Sequence, residues 1–136
     1  MEHYLCEAVI PSDIARTTHL VEAILNLAHE FDEKSIFGIQ MSLVEALVNA
    51  IKHGNGEDLT KHVTLTCIVT DNAITIKIAD EGPGFDPVTV PDCLVDENLD
   101  KPSGRGLELI RSLMESVQWN DKGNEIEMRQ IKTAAA

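Results

Sequence analysis

Three places in this 136-residue chain have residue types and spacing that chemistry needs. Glu45 and Asn49 stand at i and i+4, so a helix over them presents a carboxylate and an amide one turn apart. That geometry suits a hard cation and a nearby water. Asp80 closes the run Ala73 to Ala79, which alternates apolar and polar residues as a half-buried strand does. It shares the parity of Ile74, Ile76 and Ile78, so its carboxylate points inward, where an acid needs a hydrogen-bonding partner. Gly82-Pro83-Gly84 then breaks the strand and lets backbone pass close to something, which suggests a ligand pocket. An ordinary Asp/Gly/Pro turn accounts for the same residues without one. Finally, Ser103-Gly104-Arg105-Gly106 opens a helix predicted from Leu107 to about Glu115, and free N–H groups at a glycine-rich helix start bind anions.

The elements around these residues follow from periodicity. Tyr4 to Ile10 is a short strand closed by Pro11, and Ser12 is the expected N-cap of a helix to about Glu30. Ile14, Thr17, Val21, Leu25 and Ala28 make its buried stripe, with Arg16 off that stripe near the start. The second helix is expected from Ser35 to about His53. Its apolar residues, Phe37 and Val44 among them, cover most of the circumference, so burial nearly all round is predicted. Ser42, Glu45, Asn49, Lys52 and His53 are the exceptions and fall within about 100° of one another. So narrow a polar stripe suggests a cavity wall; one solvated side would look similar. Gly54-Asn55-Gly56 ends the helix, with asparagine and glycine tolerating the left-handed conformation. Val63 to Val69 and Ala73 to Ala79, joined by Asp71-Asn72, form an antiparallel hairpin, with helices stacked on its buried face. The aperiodic, proline-punctuated and acidic stretch 87–103 reads as a lid. Val117 and Trp119, then Ile126 and Met128, complete a last hairpin.

Composition bounds the function. A chain of this length is one domain by the usual prior. A net charge of −12 argues against non-specific nucleic-acid binding or docking on an acidic membrane. Cys6, Cys67 and Cys93 have no metal spacing and fit a reduced, cytoplasmic protein. No apolar run is long enough for a membrane span. There is no P-loop, no dinucleotide fingerprint and no protein-kinase signature, so any ATP site belongs to a different fold.

Three blocks in order resemble the GHKL ATPase superfamily of gyrase, heat-shock chaperone and histidine-kinase ATP-binding domains. Glu45 to Asn55 looks like its N box, Asp80 to Phe85 like its first glycine box, and Gly104 to Leu107 like the second. Within the superfamily the chain is most similar to the stand-alone anti-sigma-factor serine/threonine kinases. The resemblance implies an α+β two-layer sandwich with a mixed, mostly antiparallel sheet and helices on one face. It implies an ATP- and Mg²⁺-dependent kinase that phosphorylates an antagonist (STAS-type) protein and sequesters a sigma factor or an equivalent regulator. A homodimer is compatible with it. Asn49 would hold Mg²⁺ and Glu45 would be the general base. Asp80 would accept a hydrogen bond from the adenine amino group, and Gly82 and Gly84 would let backbone approach the nucleotide. Gly104, Arg105, Gly106 and Leu107 would cradle phosphates, with Lys52 and His53 as further nucleotide-site candidates. Arg16 would touch a protein partner. Two residues depart from the pattern: Asn124 stands where threonine is frequent, placing adenine-side contacts in doubt, and Ser116 where an acid is common.

Two other readings stay open. One is a nucleotide-binding partner switch without kinase activity. The other is a histidine-kinase catalytic fragment, for which His29 is a superficial phosphoacceptor with no dimerising hairpin around it.

Overall fold

The computed structural model describes residues 4–84 and 102–132, with backbone alone at 102–106. Most of the expected lid therefore lies outside the described residues.

Five strands form one sheet in the order β1-β2-β3-β5-β4, antiparallel in every pairing. They are β1 (Tyr4–Pro11), β2 (His62–Val69), β3 (Ala73–Ala79), β4 (Ser116–Trp119) and β5 (Glu125–Ile131). Alternation fixes the register, since a one-residue slip would turn every apolar side chain outward. Leu65, Ile78 and Ile126 form one cross-strand row and Cys67, Ile76 and Met128 the next, all buried. Their neighbours face away from the helices, where Lys77 pairs across the sheet with Glu127 at 3.6 Å.

The helices α1 (Thr17–Leu27), α2 (Glu33–Val48) and α3 (Pro102–Leu113) contribute Leu20, Ile24, Ile39, Leu43, Leu47 and Ile110 to the core over the row-bearing face. Ser12 is not the cap expected for the first helix. Asp13 is, accepting from the Ala15 N–H at 3.0 Å, and it opens a 3₁₀ turn, Ile14–Arg16, before α1 begins. That tighter turn shifts the helical phase. The buried stripe is therefore Leu20, Val21, Ile24 and Ala28, with Ile14 and Leu25 packed at its margin.

In α2, Asp32 caps the Ser35 N–H at 2.6 Å. Burial all round does not hold: Phe37 is 57% and Val44 40% exposed, because only one side of α2 meets the sheet and its helical neighbours. On another side Gly38 lies against the C-terminal end of α3, where a Cβ would stand 3.1 Å from the Leu113 carbonyl. That carbonyl, left unpaired by the helix end, accepts from Gln130 Nε2 at 2.9 Å. Arg111 stacks over Trp119, 5.0 Å from the ring centroid, joining α3 to β4.

Residues Asn49–Gly54 continue α2 as a π turn rather than as regular helix. The Asn55 N–H donates to the Ala50 carbonyl, five residues back, at 2.9 Å. Asn55 itself is not left-handed (φ −93°); Gly56 and Glu57 take the positive φ that ends the segment. At the other end of the chain, helix starts at Pro102, earlier than Leu107, so Ser103 to Gly106 lie within its first turns.

Candidate functional site

Where β3 ends, Asp80 leaves the sheet beside the π turn. Its N–H donates to the Asn124 carbonyl at 2.9 Å, and its own carbonyl accepts from Asn124 Nδ2 at 3.3 Å. One carboxylate oxygen accepts the Gly82 N–H at 2.8 Å. Gly54 packs directly on that carboxylate: a Cβ there would stand 2.3 Å from it. A Cβ on Gly82 would stand 2.0 Å from the Gly54 carbonyl, so neither position tolerates a side chain. Gly84 has a positive φ of 80° and abuts the Lys122 carbonyl. Burial pushes the Asp80 carboxyl above the ordinary aspartate range, opposed by the Gly82 hydrogen bond and by the Lys122 and Lys61 charges.

The start of α3 carries backbone donors of a different kind. Because α3 begins at Pro102, its free N–H groups fall on its first residues, and Gly106 and Leu107 lie inside the ladder. The Leu107 side chain is buried, leaving only backbone for a phosphate contact. Gly104, Arg105 and Gly106 take part in the helical backbone; their side-chain roles lie outside the described residues.

The polar stripe on α2 divides in two. Ser42 is fully buried and its hydroxyl has no hydrogen-bond partner among the described residues. Asn49 is half-buried overall, yet its Nδ2 is enclosed and likewise unpartnered. Glu45, one turn earlier, is half-buried, whereas Lys52 and His53 are exposed past the start of the π turn. Arg16 is exposed in the 3₁₀ turn, away from this stripe in sequence and secondary structure.

A buried donor without a partner costs about 1–3 kcal/mol. At Asn49 it marks a place where a ligand can supply what the protein does not. An unpaired N–H fits an anionic oxygen such as that of a phosphate, while the Oδ1 of the same amide is the kind of atom a hard cation takes. Mg²⁺ commonly takes one or two protein oxygens and completes its octahedron with phosphate and water, a demand Asn49 Oδ1 can meet. No group of three or more His, Cys, Asp or Glu side chains that could hold a metal occurs among the described residues. Thiol chemistry is disfavoured at Cys67, whose pKa burial and the facing Cys6 push up to about 12.

One buried polar residue at the site was read from sequence as a turn former at the end of the N-box-like block, with no role of its own. Asn55 is 3% exposed and binds three separate segments: its Nδ2 donates to Ser12 Oγ at 2.9 Å and to the His62 carbonyl at 3.0 Å. Its Oδ1 accepts the Glu81 N–H at 2.7 Å. Glu81 reaches the same segment, accepting the His62 N–H and standing 3.7 Å from the His62 ring. A lone asparagine between glycines carries no signal for such a junction. Asn124, flagged in the sequence as a departure, does meet the Asp80 backbone.

The comparisons with known proteins bear on the family of the chain as a whole. A family profile described as the histidine kinase-like ATPase domain matches residues 9–130. The chain is 29% identical over 113 residues to the anti-sigma F factor of Clostridium acetobutylicum, covering 78% of each protein. It is 25% identical over 105 residues to the serine-protein kinase RsbW of Listeria monocytogenes serovar 1/2a, covering 72% of this chain and 67% of that one.

Proposed function

Because the chain belongs to the histidine kinase-like ATPase domain family, we propose that it is an ATP- and Mg²⁺-dependent protein serine/threonine kinase with an anti-sigma role. The observation that carries this reading is Glu45 one helical turn from Asn49, whose enclosed Nδ2 has no hydrogen-bond partner among the described residues. The names of the two relatives support it: one is an anti-sigma factor, the other a serine-protein kinase.

In the proposed reaction Asp80 holds the adenine amino group, and Gly54 and Gly82 keep the wall beside it bare. Asn49 Oδ1 and Nδ2 face the triphosphate, and the N–H groups at the start of α3 take up anionic oxygens. Mg²⁺, which Asn49 Oδ1 would help hold, would supply neutralisation of charge on the phosphates. Glu45 accepts the proton of a serine or threonine hydroxyl on an antagonist protein of the STAS type. That oxygen forms a bond to the γ-phosphorus while the bond from it to the β–γ bridging oxygen breaks, releasing ADP. Positioning and charge supply most of the rate. Exposed Arg16 provides the contact to a sigma factor or equivalent regulator; Arg16→Ala weakens pull-down of that partner and leaves ATP affinity unchanged. An equal yield of captured partner would return Arg16 to plain surface.

A partner of this type places the protein in the cytoplasm; no helix among the described residues is long and apolar enough to cross a membrane. Labelled ATP, Mg²⁺ and a STAS-type acceptor test the assignment together. Label on an acceptor serine or threonine is expected. Label on a histidine of this chain would favour a histidine-kinase fragment, and binding without any label a nucleotide-dependent switch. No nucleotide binding would remove the whole reading.

A further inference from the structure

We infer that Asn55 is the positioning residue for base recognition: it sets the orientation of Asp80 by fixing the peptide that follows it. The inference rests on the proposed role of Asp80 at the nucleotide base. It arises from the way each side of the Asp80–Glu81 peptide is held.

The carbonyl of that peptide accepts a long bond, 3.3 Å, from Asn124 Nδ2, while its N–H donates a short one, 2.7 Å, to Asn55 Oδ1. A planar peptide held at both edges fixes the backbone from which the Asp80 side chain springs and the chain leading to the Gly82 N–H, and that N–H and Gly54 in turn hold the carboxylate. Asn55 is the firmer of the two holds, because it cannot itself turn. Ser12 Oγ donates to the Lys61 carbonyl at 2.8 Å, so toward Asn55 that hydroxyl acts as an acceptor, and the His62 carbonyl is an acceptor too. Both demand the amide nitrogen, which leaves Oδ1 for Glu81 and gives the amide one orientation. Rotating it would bring two carbonyl oxygens together at His62 and leave the Glu81 N–H unpaired. Asn55 thus lies one residue past Gly54, which packs on the Asp80 carboxylate, and binds the residue after Asp80. The π turn brings it there: its N–H closes on the Ala50 carbonyl, five residues back.

Two functions of the same amide can be separated. The nitrogen ties β1, β2 and the turn together, so it serves stability. The oxygen acts through Glu81 on Asp80, so it serves discrimination of the base. Asn55→Ala removes both; Asn55→Asp keeps an acceptor for Glu81 but sets an oxygen against the His62 carbonyl.

Titration calorimetry of the full chain with Mg-ATP and with Mg-inosine triphosphate, which lacks the 6-amino group, reads the difference. Wild type should prefer ATP by about tenfold or more, the size of one charge-assisted hydrogen bond. Asn55→Ala should lose most of that preference by weakening ATP while inosine triphosphate binding stays the same. Asn55→Asp should melt at a lower temperature yet keep the preference. A general loss of structure would weaken both nucleotides alike and overturn the inference, as would an Asn55→Ala protein that discriminates like wild type. Wild type with no preference would instead refute the role of Asp80, and wild type that binds neither nucleotide the functional reading itself. If the alanine variant does not fold, amide exchange on the wild type decides. Strong protection of the Glu81 N–H is expected, and exchange at the rate of an open loop would overturn the inference.

Discussion

The corner around Asp80 and the face of α2 bearing Glu45 and Asn49 are joined by the π turn, but they are built in opposite ways. At the corner the protein satisfies itself. Asp80 and Glu81 are bonded through Asn124, Gly82 and Asn55, and glycines at 54 and 82 leave no slack. On α2 the polar groups are left open: Ser42 Oγ and Asn49 Nδ2 are buried without partners among the described residues. A preformed corner suits a flat base of fixed shape, because recognition then requires little reordering. An unpaired N–H suits an anion such as phosphate, whose acceptor oxygens would offset the cost of leaving it unbonded. An Nδ2 with no partner among the described residues costs stability that a bound acceptor would restore.

That contrast can be broken by mutation. The largest effect is expected on the open face, where Glu45→Gln should cut single-turnover phosphotransfer by about 10²–10⁴-fold and leave ATP affinity nearly intact. Transfer at the wild-type rate would show that Glu45 takes no proton. Next is Gly82→Ala at the preformed corner. Its methyl group collides with the Gly54 carbonyl, so unfolding free energy should fall by about 1–3 kcal/mol, as in overpacked cores, and nucleotide binding should go with it. A variant with unchanged melting and affinity would mean the corner yields more easily than its contacts imply.

Asn49→Ala should behave in the opposite sense. It removes an unpaired buried donor, so the free protein should lose no stability, while Mg-ATP affinity falls much more than that of Mg-free nucleotide. Equal losses in calorimetry with and without magnesium would argue against a metal role. The smallest effect concerns Asp80 and pH. Its folded pKa lies above the unfolded value, so the native state binds more protons across that window. The contribution of Asp80 to stability is therefore full below the unfolded pKa and declines as pH rises through the folded one. Asp80→Asn should match wild type in thermal unfolding near about pH 4 and melt slightly higher near about pH 7, while losing base recognition. A variant that melts lower at neutral pH would show that the carboxylate is stabilised there after all.

How much of this was legible beforehand follows residue by residue. The alternation of Ile74, Ile76 and Ile78 determined both the strand and the inward side of Asp80, since side-chain parity is a local property of extended chain. The i, i+4 spacing of Glu45 and Asn49 likewise survives in any helix that contains them. The capping of the first helix was less secure, because Ser12 and Asp13 are both good caps. Tertiary contact decided between them, as Ser12 is occupied by Lys61 and Asn55. Phe37 and Val44 read as core because composition around a helix cannot say how many neighbours it has.

By itself, then, the sequence determined the strands, the helices and the order of the chemical residues, all of which depend on periods of two to four positions. The tertiary structure alone decided the π turn, the pairing of Gly54 with Asp80 and Gly82, and the burial of Asn55 between β1, β2 and the glycine loop. The π turn is local, but the other two join segments far apart in the chain. Their energies come from close approach and from satisfying buried polar groups, which no local spacing encodes.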